Sequence, residues 1–274
     1  MQIGGLRGGQ YQIISQKEVQ SIHNASLQIL KRTGIKSRRQ EVLQIFSQGG
    51  AEVDFEQGRV RIPPSLVEDA INKAPSKIIL CGRDEKNDLI LEDKKVYFGT
   101  GGAALKVLDL ETGKVRKPLL KDIANIARLV DALDNIHFFI RPVVAQDIPR
   151  EFLDVNKYYA ALSNTSKHVM GSAYSVKSAL KVIDLAAKVV GGKEALRRRP
   201  IISFITSWMK SPLLLDDFTT SILMKIAEER VPVALSSAPM AGSTSPVTLA
   251  GTLAQVNAEQ LSGIVLTQLS PPRE

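Results

Sequence analysis

The chain has 274 residues, of which 44% are hydrophobic and 23% charged, and its formal net charge is +8. This composition is typical of a soluble globular protein. No apolar run approaches the roughly 18 residues that a membrane span needs, and no signal peptide is recognisable. The single cysteine, Cys81, excludes an intrachain disulfide. We therefore expect a cytoplasmic protein without membrane attachment.

The excess of positive charge fits a nucleic acid, an anionic cofactor or an acidic protein partner. The basic residues are scattered, however, and the densest clusters are KSRRQ (36–40) and the three arginines that precede Pro200. Both clusters are more typical of solvated surface than of a binding patch. Aromatic residues make up only 5% of the chain, so stacking platforms for single strands are not evident and no specific nucleic-acid partner is expected.

Short helices and strands alternate in the first 95 residues. Ser15 and Glu18 form an S-x-x-E capping box, which predicts a helix that continues to Gly34. The later elements of this part are a short helix over 38–47, a hairpin of AEVD and RVRI, a helix that begins at Pro63-Pro64-Ser65, and the strand KIILC. We interpret residues 1–95 as an N-terminal α+β extension.

From about residue 97 the pattern becomes strand, loop and helix, repeated. The first predicted strand is YFGTGGAALKVLD, which its glycines break, and the others are IHFFIRPVV, HVMGSAY, PIISFITS and VPVALSS. Helices follow them, and Ser245-Pro246 is the predicted N-cap and first-turn proline of the last one. The alternation predicts about five parallel βα units. They would belong to a doubly wound open sheet or to part of a (β/α)8 barrel, which needs eight units. GTGGAA (99–104) lacks the G-x-G-x-x-G spacing of a nucleotide site.

Several stretches together resemble the trimethylamine methyltransferase family. They are RIPPSLVEDAINKAP, DIANIARLVDALDNI, LSNTSKHVMGSAYS, GGKEALRRRP and ALSSAPMAGSTSPVTLAGTLAQVNAEQLSGIVLTQL, of which the last is the most specific. The resemblance extends from about residue 9 over nearly the whole chain. It implies a TIM barrel, present here only in part over residues 96–274, because members of the family are considerably longer.

The resemblance implies an enzyme that moves a methyl group from a methylated amine to the Co(I) corrinoid of a partner protein, as in methanogenesis and other one-carbon metabolism. Family members with pyrrolysine use trimethylamine, whereas those characterised without it use quaternary amines such as glycine betaine. The pyrrolysine position lies beyond residue 274. We therefore expect the N-terminal part of such an enzyme, inactive alone, without a tightly bound cofactor, and a homo-oligomer when full length.

Methyl transfer to cobalt requires no acid–base pair, nucleophilic serine or protein-bound metal, because the corrinoid supplies the nucleophile. No catalytic residue or metal ligand is therefore assigned. The loops after barrel strands form the catalytic face, and their small or polar residues are the candidates for substrate or corrinoid binding. These candidates are Thr100, Gly101, Gly102, Asp147, Tyr174, Trp208, Ser236, Ser237, Met240 and Thr244.

Structural interpretations compete with these assignments. The glycines could form a bulge, Asp147 could be a solvated loop carboxylate, and Tyr174 and Trp208 could pack at the rim instead of contacting an ammonium group by a cation–π interaction. Ser245 is interpreted as a helix cap. Structural roles are also expected for a further set: His23, His137, His168, Cys81, and the helical stripe of Thr248, Thr252, Gln255 and Glu259, which is interpreted as a solvated face.

The rival function is a non-catalytic remnant or interaction module of the same family. An incomplete barrel exposes sheet edges and would aggregate or self-associate. A third interpretation, a basic nucleic-acid-binding protein, would show a steep salt dependence of binding.

Overall fold

The computed structural model describes residues 5–270. Nine α-helices lie in these residues: α1 Gln16–Gln28, α2 Gln40–Gln48, α3 Pro64–Lys73, α4 Leu120–Ala132, α5 Arg150–Leu162, α6 Val176–Val190, α7 Lys193–Arg198, α8 Asp217–Glu228 and α9 Leu249–Leu269. The same residues contain the strands β1 Leu6–Arg7, β2 Ile35–Lys36, β3 Glu52–Asp54, β4 Arg59–Arg61, β5 Ile78–Leu80, β6 Leu89–Leu91, β7 Lys95–Val96, β8 Val107–Leu108, β9 Val115–Arg116, β10 Phe138–Ile140, β11 His168–Gly171, β12 Ile202–Thr206, β13 Met209–Lys210, β14 Leu214–Leu215 and β15 Val233–Leu235. None of these helices is long and apolar enough to cross a membrane.

The chain forms two compact units, each assembled from separate stretches of sequence. The first unit takes the described residues up to Gly9, together with 76–205 and 230–232. The second takes residues 10–75 and 206–229, and the described residues from Val233 onward. The expected division into an extension over 1–95 and a barrel part over 96–274 remains a prediction.

The first unit contains the parallel sheet that the sequence predicts. Strands β10 and β11 pair in parallel with Phe139 opposite Val169, and β11 pairs in parallel with β12 with Val169 opposite Ile202. Helices α5 and α6 connect these strands, as parallel pairing requires. Their buried faces include Leu153 and Ile183. The βα alternation is thus confirmed for this part of the chain.

The first predicted strand, YFGTGGAALKVLD, is not continuous. Only single parallel bridges join Gly99 to Phe138 and Ala104 to Val143, and β8 instead pairs antiparallel with β9. Gly102 has a φ of +106°, a left-handed conformation that glycine adopts without strain and that interrupts an extended run. The predicted break at the glycines is thus confirmed, whereas the antiparallel pairing of β8 with β9 was not predicted.

The second unit has a large apolar core around α9. Phe46 of α2, Val67 of α3, Leu223 of α8 and Val265 of α9 belong to it, and all are essentially inaccessible to solvent. A small sheet in the order β13-β14-β2-β4-β3 contributes Val60. The last helix is therefore the element around which this unit packs.

The capping box at the start of α1 is confirmed. The Ser15 hydroxyl oxygen accepts a hydrogen bond from Glu18 N, and a Glu18 carboxylate oxygen accepts one from Ser15 N at 2.7 Å. A π-helical turn, Ile29–Thr33, follows the helix and ends at Gly34. Gly34 has a φ of +71°, and a Cβ there would lie 2.2 Å from the Val60 carbonyl oxygen. Only glycine fits at this position.

The start of α9 differs from the prediction. The N-cap is Thr248, whose hydroxyl accepts a hydrogen bond from Gly251 N at 3.2 Å. Ser245 lies in the preceding turn, where its N–H donates to the Met240 carbonyl oxygen, and its hydroxyl bonds to that of Thr252 at 2.8 Å. The interpretation of Ser245 as the cap was wrong, because its hydroxyl closes the turn instead.

Candidate functional site

A loop rich in small and hydroxylated residues follows β15 in the second unit. We call residues 236–247 the serine-rich loop. Ser236 N donates to the Thr206 carbonyl oxygen at 2.9 Å. The N–H groups of Ser243 and Thr244 converge on the Met240 carbonyl oxygen, and Met240 N donates to the Thr244 hydroxyl at 2.7 Å. This turn leaves the Met240 side chain 64% exposed. The loop therefore presents one apolar side chain to solvent above a hydrogen-bonded polar turn.

Glu259 of α9 anchors the serine-rich loop through hydrogen bonds. Its side chain is fully buried and accepts four hydrogen bonds. They come from the Ser211 hydroxyl at 2.8 Å, Leu213 N at 3.1 Å, Gln255 Nε2 at 3.1 Å and the Ser237 hydroxyl. All four donors are neutral groups, so none of them neutralises the carboxylate charge. Because the carboxylate lies next to the half-buried Ser237 hydroxyl, it gives this part of the loop a negative potential.

The later part of the polar stripe of α9, Gln255 and Glu259, therefore faces protein and not solvent. Gln255 is buried, and its amide also donates to the Thr244 carbonyl oxygen at 2.8 Å. The Thr252 hydroxyl donates to the Pro246 carbonyl oxygen at 2.8 Å. The interpretation of this stripe as a solvated face was wrong for Gln255 and Glu259, which are buried, whereas Thr248 at the start of the stripe is exposed and Thr252 is half-buried.

Trp208 is placed in the core of the second unit. Its side chain is fully buried, and a Cβ on Gly263 would lie 2.6 Å from its ring. The indole nitrogen has no hydrogen-bond partner among the described residues. This placement favours packing as the role of Trp208; the cation–π contact remains a prediction.

In the first unit, Thr100 and Asp147 each bond to backbone. The Thr100 hydroxyl accepts from Ile140 N at 2.8 Å and so joins the irregular glycine segment to the end of β10. Gly101 and Gly102 beside it are exposed. Asp147 is exposed, and its carboxylate accepts from Leu120 N at 2.9 Å, at the N-terminus of α4. Anionic groups stabilise a helix N-terminus, so Asp147 has a structural role as well as the predicted one.

A buried ion pair lies at the carboxyl ends of β10 and β11. Lys157 Nζ lies 2.5 Å from Asp154 Oδ1 and also donates to the Ser172 carbonyl oxygen. The other Asp154 oxygen accepts from Tyr174 N at 2.7 Å and from the Ser178 hydroxyl at 2.5 Å. This cluster fixes the loop after β11, which carries the predicted site residue Tyr174.

Two cations of the chain itself already lie against the Tyr174 ring. The Arg150 guanidinium is 4.9 Å and Lys157 Nζ 5.4 Å from the ring centroid. These are cation–π distances. The ring is 40% exposed; the predicted contact with an ammonium group of the substrate would compete with these cations.

Burial changes the pKa values around this ion pair. Loss of solvation lowers the pKa of Lys157 to about 8, against the opposing effect of the Asp154 charge. The same loss of solvation raises the pKa of Tyr158 well above its usual value, and its hydroxyl donates to the Ser203 carbonyl oxygen at 2.9 Å. Lys157 is therefore easier to deprotonate than an ordinary lysine, whereas the phenol of its neighbour Tyr158 stays protonated.

Two residues expected to be structural are buried in the first unit. His168, at the start of β11, bonds to the Cys81 carbonyl oxygen at 3.0 Å and to the Ser203 hydroxyl at 2.7 Å. Burial raises the pKa of the Cys81 thiol to about 11, so this thiol is a poor nucleophile. Over residues 5–270, no group of three or more His, Cys, Asp or Glu side chains is arranged to hold a metal ion.

The structure joins some of the predicted site residues within each unit. Ser237 and Thr244 are linked through Glu259 and Gln255. Tyr174 is linked to a lysine and an aspartate that the sequence analysis missed, Lys157 and Asp154. Their i, i+3 spacing on a helix was visible, but such spacing is equally typical of exposed pairs. What distinguishes this pair is burial, which the sequence pattern did not reveal.

A sequence model of the trimethylamine methyltransferase family matches residues 6–273. A trimethylamine methyltransferase of Desulfitobacterium hafniense is 41% identical over 93% of this chain and 51% of its own length. The corresponding protein of Methanosarcina thermophila is 36% identical over 97% of this chain and 56% of its own. A glycine betaine methyltransferase of D. hafniense is 34% identical over 96% and 54%.

The chain thus spans about half the length of the curated relatives it matches. The match covers both compact units, including the serine-rich loop and the buried ion pair. The chain belongs to the trimethylamine methyltransferase family.

Proposed function

We propose that this chain forms part of an enzyme that transfers a methyl group from trimethylamine or a quaternary amine to the Co(I) corrinoid of a partner protein. The observation that carries the proposal is the family match over residues 6–273. Relatives named for trimethylamine and for glycine betaine match nearly the whole of the chain. A methylated amine is therefore the substrate class common to these relatives, and neither named amine is favoured by the match itself.

The transfer breaks the C–N bond of the methyl donor and forms a bond between carbon and cobalt. The nitrogen keeps the electron pair of the broken bond, so a quaternary ammonium leaves as a neutral tertiary amine, and trimethylamine reacts as its protonated ammonium form and leaves as neutral dimethylamine. The corrinoid supplies the nucleophile. The protein has to bind the cation, align its methyl group and exclude water.

The serine-rich loop is suited to the cationic end of such a substrate. The buried carboxylate of Glu259 is not paired with a cation among its described contacts. Its charge polarises the Ser237 hydroxyl, which donates to Glu259 and leaves its own oxygen lone pairs for the site. The small side chains around Ser236 and Gly242 also give a bulky corrin room to approach the loop.

We also propose the finer points of the family's organisation for this chain. The parallel strands of the first unit support a TIM barrel to which the chain contributes about five βα units. The complete protein would be a cytoplasmic homo-oligomer that acts with a cognate corrinoid protein. The 274-residue chain would be inactive alone because the residues that complete the barrel lie in the relatives' further length.

The first experiment is to sequence the gene downstream of the Glu274 codon. A reading frame that resumes family-like sequence supports the proposal; an in-frame amber codon further along would then favour trimethylamine, and a sense codon there a quaternary amine. The product of the longer frame is next incubated with cob(I)alamin and each amine without oxygen. Methylcobalamin that forms only with this product is the expected result.

The same assay on the 274-residue chain is the matched control, and no methylcobalamin is expected from it. If no family-like sequence follows Glu274, or if the folded longer product transfers no methyl group from either amine, the proposal fails. The non-catalytic remnant or interaction module is then the better interpretation.

A further inference from the structure

A β-hairpin of the first unit, residues 105–117, presents apolar side chains to solvent. Its strands β8 and β9 pair antiparallel, with Leu108 opposite Val115. The neighbouring cross-strand pair is Val107 and Arg116. Successive pairs lie on opposite faces. Leu108 is 70% exposed and Val115 64%, whereas Val107 and Arg116 are half-buried. The hairpin therefore turns one face toward the protein and leaves an apolar pair on the other.

Arg116 anchors the inner face of the hairpin to the rest of the unit. Its guanidinium donates two hydrogen bonds, of 2.7 and 2.8 Å, to the Asp122 carboxylate of α4. Such a bidentate pair has a fixed geometry. At the base of the hairpin, Gln146 donates to the Leu105 carbonyl oxygen through its side chain and to that of Pro118 through its backbone, both at 2.9 Å. The exposed face is thus held in place before a partner binds, which lowers the entropic cost of binding.

The hairpin lies at the carboxyl edge of the parallel sheet. The segment that leads into it runs alongside β10, and a parallel bridge joins Gly99 to Phe138, at the start of β10. A later bridge joins Ala104 to Val143, which lies beyond the last residue of β10. The hairpin therefore begins where β10 has ended. Because ligands of α/β proteins bind at the carboxyl ends of the strands, a protein that contacts the hairpin is brought to that edge.

Further apolar side chains of the hairpin are exposed. Leu105, which precedes β8, and Leu110, in the turn between the strands, both face solvent. A two-stranded hairpin gains little stability in water from its own contacts. Clustered apolar side chains that are exposed beside polar ones mark protein interaction sites. A protein surface is therefore the kind of partner that this hairpin fits.

The hairpin also carries an excess of positive charge. Three of its exposed lysines form no ion pair among the described residues: Lys106, Lys114 and Lys117. Glu111 is the exposed carboxylate of the hairpin, and Asp109 is already paired with Arg116 at 2.7 Å. This excess attracts an acidic surface. It also opposes a second copy of the same face, because like charges would then meet.

We propose that the hairpin over residues 105–117 is the docking surface for the corrinoid protein, and that this partner presents an acidic surface around an apolar centre. The inference rests on the methyl transfer proposed above, which needs a partner that brings the corrinoid to the carboxyl edge of the strands. Leu108 and Val115 form the centre of the interface and the lysines its rim, the usual arrangement of protein interfaces. The rim charges speed association with an acidic partner, so binding weakens as the salt concentration rises.

Biolayer interferometry tests the proposal with the 274-residue chain and each purified, cobalamin-loaded corrinoid protein of the organism that encodes it. We expect one of these proteins to bind. The variant Leu108→Asp places a carboxylate in the apolar centre and should weaken this binding at least about tenfold. Leu129→Asp is the matched control, because Leu129 is exposed on α4 of the same unit, and it should bind as the original chain does.

A second pair of variants tests the charged rim. Lys114→Glu should slow association and reduce its salt dependence, because a rim charge acts mainly on the association rate. Lys188→Glu, exposed on α6 of the same unit, makes the same change of charge outside the hairpin and should leave the rate unaltered. Circular dichroism and a thermal melt verify folding; if Leu108→Asp does not fold, the rim variants decide.

Labelling shows whether the hairpin is free in the product of the longer frame. A maleimide should react quickly with the Leu108→Cys variant of that product, as read at this position by mass spectrometry, and the bound corrinoid protein should protect it. Slow labelling of the product alone would overturn the proposal, because the protein's own further length would then cover the hairpin.

Three other results would overturn the proposal. They are no binding by any of the corrinoid proteins, unchanged binding by folded Leu108→Asp and Lys114→Glu variants, and a dimer of the original chain that Leu108→Asp dissociates in sedimentation velocity. The last would make a second copy the occupant. Binding requires no methyl transfer, and transfer to free cob(I)alamin requires no partner protein. Failure of the transfer assay and failure of this inference are therefore distinguishable.

Discussion

Lys157 and Asp154 form an ion pair from which water is almost wholly excluded. Their charged atoms are 2.5 Å apart, and the two side chains expose only 2% and 1% of their surface. The two residues lie three positions apart, about one turn, on α5. The other Asp154 oxygen accepts a hydrogen bond from Tyr174 N and so fixes the loop after β11. Removing one member leaves the other as a buried, unpaired charge.

We therefore expect the substitution Asp154→Asn to destabilise the protein strongly. It keeps the shape of the side chain but leaves the Lys157 ammonium without its counter-charge. The loss from the free energy of unfolding should be about 3 kcal/mol or more, as for other broken buried pairs. Urea unfolding of the original chain and the variant, monitored by circular dichroism, measures this difference.

The control is Glu194→Gln, in a pair with the same three-residue spacing. Glu194 pairs with Arg197 at 2.7 Å on α7, but its side chain is 70% exposed. Solvent and salt screen such a pair, so this substitution should cost under about 1 kcal/mol. If the two substitutions destabilise the protein equally, the burial of the Lys157–Asp154 pair is not what makes it important.

A second substitution, Glu259→Gln, tests the support of the serine-rich loop. The carboxylate accepts four hydrogen bonds, whereas the glutamine amide can accept on its oxygen only and turns an N–H₂ group toward donors. We expect a loss of about 1–3 kcal/mol in the free energy of unfolding, since a buried donor remains unsatisfied. Amide hydrogen exchange over residues 236–245 should become faster at the same time.

Glu41→Gln is the comparison for this substitution. Glu41 is paired with Arg39 at 3.3 Å, and its side chain is 60% exposed, so both stability and exchange in the serine-rich loop should be unchanged. Unaltered exchange over residues 236–245 in the Glu259→Gln variant would contradict the role of Glu259 as the anchor of the loop.

The sequence predicted the elements of this fold better than the contacts between them. Ser15 and Glu18 identified the start of α1 because a capping box depends on residues three positions apart. The βα alternation was visible for the same reason, since hydrophobic periodicity is local. In YFGTGGAALKVLD the glycines indicated a broken strand, but the antiparallel pairing of β8 with β9 was not predicted, because it is a contact between segments.

The candidate site shows the same limit more sharply. Gln255 and Glu259 were visible as a polar stripe on a helix, and the usual meaning of such a stripe is solvent exposure. These two residues are buried because the serine-rich loop packs over α9. That packing brings together residues about twenty positions apart, such as Ser237 and Glu259. One buried guanidinium nitrogen of Arg141 has no hydrogen-bond partner among the described residues. The sequence could not reveal this, because the absence of a partner depends on which residues surround the side chain in the fold.

The buried histidine of β11 makes stability depend on pH. Loss of solvation lowers the pKa of His168 from 6.5 to about 4. The unfolded chain therefore binds a proton at a higher pH than the folded protein does. The contribution of neutral, buried His168 to the free energy of unfolding is fully present above about pH 6.5 and is lost as the pH falls toward about 4. The full effect is on the order of 3 kcal/mol.

Urea unfolding at several pH values between about 7 and 4.5 measures this dependence. The variant His168→Gln should be less stable at neutral pH, but its stability should change less over that interval. Carboxyl groups with lowered pKa values, such as Asp216 at about 2, contribute their slope mainly at lower pH. Equal slopes for the two proteins would show that another group causes the dependence.

The start of α9 gives a direct comparison of two hydroxyl residues. The Thr248 hydroxyl caps the helix through Gly251 N, whereas the Ser245 hydroxyl bonds to Thr252 in the preceding turn. We expect Thr248→Ala to lower the free energy of unfolding by about 1 kcal/mol, the usual cost of losing an N-cap. Thr248→Ser should restore it, because serine caps at least as well.

Hydrogen exchange at Gly251 distinguishes a lost cap from a general loss of stability. Removing the cap leaves the Gly251 N–H without its acceptor in the first turn of the helix, so its exchange should accelerate in Thr248→Ala and not in Ser245→Ala. Faster exchange at Gly251 in the Ser245→Ala variant alone would make Ser245 the cap after all. The helix would then begin near Pro246, as the sequence pattern indicates.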